Sequence, residues 1–173
     1  MGIGTMLKLR SYSKKVREWP ESKGCTLEIA LTPPDVNGLK FRSHIDEARR
    51  LGRPSDVTVV GSGSAVRLVF STQGISLEYE NDRLVYVGIV ISPKDDVSSD
   101  SSMSAARAIL LHGAPFTLSP EITVQRIVEM IGQPADVDSD KEEHVLTHEI
   151  DGYKIESEFT LQNTLKRLNM YPT

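Results

Sequence analysis

Cysteine is nearly absent from this chain of 173 residues: Cys25 stands alone, so no intramolecular disulfide can form. Long apolar runs are missing as well. The longest uncharged one, Ala108 to Leu111, falls far short of the roughly 20 residues that span a bilayer, so no membrane association is expected. The basic residues near the start (Lys8, Arg10, Lys14, Lys15 and Arg17) are not followed by the apolar core of a secretory signal, and the expected location is cytoplasmic. Aromatic residues make up 6% of the chain and do not interleave with the basic ones, as a base-stacking groove requires, which argues against nucleic acid as a partner.

Catalytic and cofactor motifs are lacking too. Gly61-Ser62-Gly63-Ser64 follows a strand pattern, but Val66 stands where a dinucleotide fingerprint needs its third glycine and no helix pattern follows; a strand-to-strand loop is expected. Asp136-Val137-Asp138-Ser139-Asp140 opens like a calcium loop, but Lys141 and Thr147 occupy the Gly and Glu positions, leaving an acidic loop. His144 and His148 have metal-ligand spacing only on a helix. Their stretch reads as a strand, where four residues span about 13 Å, too far for one zinc with bonds of about 2.1 Å; solvent-facing histidines are the plainer expectation. Cys25 falls on the apolar face of a strand pattern, as a core residue does. No enzyme activity, cofactor or metal site is therefore expected.

What the chain does have is a repeat. Leu51-Gly52-Arg53-Pro54-Ser55-Asp56-Val57 returns as Ile131-Gly132-Gln133-Pro134-Ala135-Asp136-Val137. Each copy ends an amphipathic helical pattern: Ile45, Ala48 and Leu51 in a helix from Ser43 to Leu51, and Val124, Ile127, Val128 and Ile131 in a helix from Thr123 to Ile131. Ser43 is the expected cap of the first, and a left-handed glycine with a proline two residues on stops both. A strand precedes each helix, Cys25–Leu31 in the first unit and the broken run Ala108–Leu118 in the second. Strand patterns follow: Val57–Val60 leading into Ala65–Phe70, Ile75–Glu80 and Leu84–Ile91, then His144–Ile150, Tyr153–Phe159 and Leu165–Tyr171. Asp151-Gly152 signals a two-residue hairpin.

The expected fold is α+β: two tandem strand-helix-three-strand repeats, their antiparallel sheets joined edge to edge and their helices on one face. Residues 1–24 read as a flexible basic lead-in, 25–93 as the first repeat, 94–107 as a Ser/Asp-rich linker and 108–173 as the second repeat. Charge divides along the chain: residues 1–24 carry six Lys or Arg against two Glu, whereas residues 119–173 carry five against eleven Asp or Glu. A solvated terminus docking on its own acidic surface accounts for that asymmetry.

Two features bear on partners. Leu84–Ile91 is apolar on both sides, with Leu84, Tyr86 and Val90 on one and Val85, Val87, Ile89 and Ile91 on the other, so a partner protein or a second copy is expected to cover the latter set. Glu78, Glu80, Glu156 and Glu158 fall on outward strand faces and could form a carboxylate surface. Arg49, Arg50 and Arg53 form a basic cluster that complements a helix C-terminus.

The helix ending in Gly-x-Pro and followed by strands with an aromatic near a hairpin (Leu51-Gly52-Arg53-Pro54 with Tyr79, Ile131-Gly132-Gln133-Pro134 with Phe159) resembles the repeat of the β-lactamase-inhibitor-like proteins, which include small outer-membrane assembly lipoproteins. That resemblance implies a protein-binding sheet rather than catalysis, and it carries over no functional residue. The expectation is a non-enzymatic protein-interaction module with an inhibitor, immunity-type or scaffold role. The alternative is a small-ligand or metal-dependent enzyme whose site between the repeats uses His112, His144 and His148.

Overall fold

Alternation of apolar and polar residues along most strands builds one antiparallel sheet with a dry face and a polar face. The computed structural model describes residues 3–21, 27–61, 63–93, 109–111, 114–116 and 118–173. Eight strands form the main sheet: β4 (Asp56–Val60), β5 (Ala65–Phe70), β6 (Ile75–Glu80), β7 (Arg83–Val90), β10 (Asp136–Ser139), β11 (Glu143–Ile150), β12 (Tyr153–Thr160) and β13 (Leu165–Pro172). Their order is β10-β11-β12-β13-β7-β6-β5-β4, so two four-strand meanders join where β13 pairs with β7. Each meander has one strand more than expected. Asp136–Ser139, expected as an acidic loop, pairs with β11 as the sheet's edge.

The remaining described elements are α1 (Ile3–Arg17), the small sheet β1 (Ile29–Leu31), β2 (Pro34–Val36) and β3 (Leu39–Lys40), a 3-10 helix (Ile45–Leu51), the hairpin β8 (Ile109–Leu111) and β9 (Ala114–Phe116), and α2 (Val124–Ile131). Mixed helix and antiparallel sheet make this an α+β fold. Cys25, His112 and the linker at 94–107 lie outside the described residues.

One apolar core unites these parts. Val16 of α1 and the neighbouring Trp19, Ile29 and Leu31 of β1, Ile45, Ala48 and Leu51 of the 3-10 helix, and Ile127 of α2 all pack with inward sheet residues such as Leu68, Leu77, Ile89, Leu168 and Phe159. Helices and small sheet therefore line one face of the main sheet. No helix among the described residues is long and apolar enough to cross a membrane.

Several local expectations change. Residues 3–17 form a helix rather than a lead-in. It is pinned by Val16 and Trp19 in the core, by the Lys15–Asp46 ion pair at 2.5 Å, and by a hydrogen bond from the Tyr12 hydroxyl to Asp82. The three-residue spacing of Ile45, Ala48 and Leu51 produces a 3-10 helix, whose three residues per turn stack those side chains on one face. His44, not Ser43, caps it: its Nδ1 accepts from the Asp46 N–H while Glu47 accepts from the His44 N–H. Thr123 caps α2 as its position suggests, Oγ1 accepting from the Arg126 N–H at 3.2 Å.

The glycines closing the two helices are not left-handed caps. Gly52 has φ 90° and ψ −164°, and Gly132 has φ 106° and ψ −172°, a region essentially reserved for glycine. The hairpins β6–β7 and β11–β12 turn through Asn81-Asp82 and Asp151-Gly152, all at positive φ, which matches the twist of the flanking strands.

A bulge resolves the two-sided strand. Tyr79 opposes Leu84 and Glu78 opposes Tyr86, which leaves Val85 as the extra residue and brings Leu84, Val87 and Ile89 onto the same face. Val87, Ile89 and Ile91 are then buried in this chain's own core and Val85 is half-buried. Of the proposed interface of Val85, Val87, Ile89 and Ile91, the last three are thus covered from within by the α and small-sheet layer, and only Val85 stays outside that core.

Candidate functional site

The other face of the sheet carries the chemistry. Register places Arg67, Glu78 and Tyr86 in one outward row, and Asp136, Thr147, Glu156, Asn169 and Gly88 in the row beside it. A further row runs Asp138, Val145, Glu158, Arg167 and Val90. Hydrogen bonds connect these rows where the two meanders meet. Tyr86 donates its hydroxyl to Asn169 Oδ1 at 2.7 Å, and Asn169 Nδ2 donates to Glu158 Oε1. Tyr171 donates to Glu156, and its ring stacks with that of Tyr86 at a centroid distance of 6.4 Å and 22°. Arg67 makes a two-nitrogen contact with Glu78 Oε1, at 2.9 Å from Nε and 2.5 Å from Nη2.

Burial sets the electrostatics of this network. It pushes the Tyr86 hydroxyl up to about 12, against the opposing pull of Arg167. Tyr171 also rises to about 12, first through burial and then because its proton is held by Glu156. Both phenols stay protonated and donating throughout the physiological range. Glu158 is raised above the usual carboxylate range by burial, with Arg167 and the Asn169 hydrogen bond pulling the other way.

Beyond the network, towards β10, lies a concavity of about 460 Å³. Six carboxylates line it (Asp136, Asp138, Glu143, Glu149, Glu156 and Glu158) beside Lys154, with Lys166 paired to Glu143 and Arg167 opposite Glu158, so carboxylates outnumber the cations and the field is negative. Val145 stands between Asp138 and Glu158, and Thr147 between Asp136 and Glu156, on the intervening strand. Strands about 4.8 Å apart therefore hold those carboxylates roughly 10 Å from each other. That spacing is too wide for both carboxylates of a row to ligate one ion. Among the described residues no group of three His, Cys, Asp or Glu could hold a metal ion.

Glu78, Glu156 and Glu158 occupy the outward face expected from alternation. Glu80 lies at the hairpin end and accepts from Ser64 Oγ at 3.2 Å instead. Asn169, Tyr86 and Tyr171 have no local motif to mark them, and Asp136 and Asp138 stood out only as a calcium-loop-like run; the pairing of β7 with β13 and of β10 with β11 brings them to this face.

His144 and His148 lie on the inward face of β11, not towards solvent. His148 opposes Ile155 and is buried, and its Nε2 lies 3.1 Å from the Gly132 carbonyl oxygen. His144 is half-buried with Nδ1 2.9 Å from Ser139 Oγ, and His44 caps the 3-10 helix. Arg50 and Arg53 brace neighbouring backbone: Arg50 reaches the Asn37 carbonyl, and Arg53 donates to that of Trp19 at 3.3 Å.

No family model matches the chain, and no curated protein matches it. The chain is similar to the crystal structure of a DUF4309 family protein (YjgB) from Bacillus subtilis subsp. subtilis str. 168. The TM-score is 0.49, with 13% sequence identity over 80% of this chain and 84% of that chain.

Proposed function

We propose that this chain is a non-enzymatic protein-interaction module made of two tandem α+β repeats, and that it binds a partner protein on the open face of its sheet. The repeat reading draws support from three correspondences. Gly52 and Gly132 share one unusual backbone conformation. Val85 after Leu84 and Lys166 after Leu165 are the extra residues of bulges at equivalent places in β7 and β13. The junction is self-equivalent: if Leu84 matches Leu165, Gly88 matches Asn169, and these two pair with each other.

The observation that carries the binding reading is the Tyr86–Asn169–Tyr171 network beside the acidic concavity. Ordered tyrosines joined to a charged, open surface supply contact area at low entropic cost and a sign of charge that selects a basic partner. The reading uses no cofactor, metal, nucleic acid or membrane, and its setting is the cytoplasm, where a lone cysteine stays reduced. The sequence resemblance to the β-lactamase-inhibitor-like repeat points the same way.

Affinity capture from the native host, followed by identification of the bound protein, tests it. Glu156→Lys with Glu158→Lys should abolish capture of that protein, and Arg49→Glu on the opposite layer should leave it intact. Equal capture by all three chains would remove the open face as the binding surface.

A further inference from the structure

The two edges of the main sheet are treated differently. α1 packs against β4. All four residues of β10 are exposed, Val137 by 57%, although β10 lies at the end of the strand order. Natural edges are usually short, covered or charged, because unpaired backbone groups recruit other strands.

The direction of those groups follows from the hairpin. The Asp140 N–H donates to the Glu143 carbonyl at 3.1 Å, and alternation along the antiparallel pair turns the Asp138 and Asp136 amides towards β11 as well. The amides of Val137 and Ser139 therefore point to the free edge. Side chains alternate too: Asp136 and Asp138 lie on the open face, next to the carboxylate concavity, and Val137 on the other.

From this pattern we infer that β10 accepts an extended, lysine- or arginine-bearing segment of a partner protein as a ninth strand. Its cations would sit beside Asp136 and Asp138, its apolar residues would cover Val137, and its backbone would bond Val137 and Ser139. The charge on the strand decides against a second copy as the occupant. β10 laid against another β10 sets aspartate beside aspartate across the new ladder, which is unfavourable. This goes beyond face binding, since it uses backbone groups at the edge and not the side chains of the tyrosine network.

The test titrates the full chain with an end-capped seven-residue peptide of alternating lysine and valine, and with its glutamate–valine counterpart, following backbone amide signals and their exchange. The cationic peptide should shift and protect Val137 and Ser139, and the acidic peptide should not. Val137→Pro removes the outward N–H but no β10–β11 bond, so it should abolish the effect while far-UV circular dichroism stays unchanged. Asp136→Asn with Asp138→Asn should weaken binding about ten-fold through loss of two cross-strand charge pairs, a loss that added salt mimics.

Silence at Val137 and Ser139 with millimolar peptide overturns the inference, leaving the aspartates as guards of the edge. Shifts confined to Tyr86 and Tyr171 and indifferent to Val137→Pro also overturn it, while leaving face binding standing.

Discussion

The ring of Tyr86 lies over Gly88: a β-carbon placed at residue 88 would stand 3.1 Å from Tyr86 Cε1 and 3.2 Å from its hydroxyl oxygen. Gly88 pairs with Asn169 at the junction of the two meanders, and the missing side chain lets Tyr86 lean across that junction to Asn169. One small residue thus permits the hydrogen bond that links the open faces of both halves.

Gly88→Ala should cost about 1–3 kcal/mol, the usual penalty for overfilling a packed site. The added methyl also meets Ser76 Oγ at 2.9 Å, but that hydroxyl can rotate aside. In a Tyr86→Ala background the same substitution should cost distinctly less, because the rigid obstacle is gone. Urea denaturation of the four chains of this cycle measures the coupling. Equal costs in both backgrounds would show that Tyr86 does not constrain residue 88.

Gly132→Ala separates backbone strain from crowding. Nothing lies within 4 Å of a β-carbon built at Gly132, yet its φ of +106° is closed to other residues. The expected loss is about 1–3 kcal/mol from conformation alone, read as a lower urea midpoint with an unchanged slope. A neutral result would mean that the helix-to-β10 connection relaxes to an ordinary conformation.

These glycines show what the sequence discloses and what it does not. Gly-x-Pro after a helical stripe marks each stop correctly, because it depends on neighbours along the chain. The count of three residues per turn was also present in Ile45, Ala48 and Leu51, and it distinguishes the 3-10 helix from the α-helix once taken at face value. The bulge at Val85 is different: it arises from pairing with β6 across a hairpin, so strand periodicity alone put Leu84 on the wrong face. The same holds for the site. Glu156 and Glu158 follow from alternation within β12, whereas Tyr86 and Asn169 meet only through the β7–β13 register, which joins parts of the chain that no local pattern connects.

His148 gives the fold an acid-sensitive point. Burial lowers its pKa below the ordinary 6.5, against hydrogen bonds to the Gly132 and Ile155 backbone that act to raise it. The unfolded chain therefore takes up a proton at a higher pH than the folded one. Stability is full above pH 6.5 and falls as pH drops from there through the folded-state value. Glu158 works in the opposite sense: its raised pKa gives stability that is present below its ordinary value of 4.5 and is lost as pH rises through the folded value. His148→Gln should flatten the decline below pH 6.5, and Glu158→Gln should steepen the net decline on acidification. Urea midpoints across pH 4.5–7.5 test both, and an unchanged slope in His148→Gln would assign the acid sensitivity elsewhere.

The N-terminal helix offers a direct optical test, since Trp19 is the only tryptophan and is buried at 4% exposure. Its carbonyl accepts from Arg53, and Lys15 of α1 holds Asp46 of the 3-10 helix. Emission should be blue-shifted and protected from acrylamide in the native chain. Trp19→Phe, which keeps most of the apolar area, should fold with a modest loss, whereas Trp19→Ala should cost about 3–5 kcal/mol by opening a cavity beneath the helix. Lys15→Glu reverses an exposed pair worth no more than about 1 kcal/mol, so it should leave the emission maximum in place. If Trp19 is freely quenched in the native chain while the sheet remains intact by circular dichroism, residues 3–17 do not dock. The core would then be completed without Val16 and Trp19.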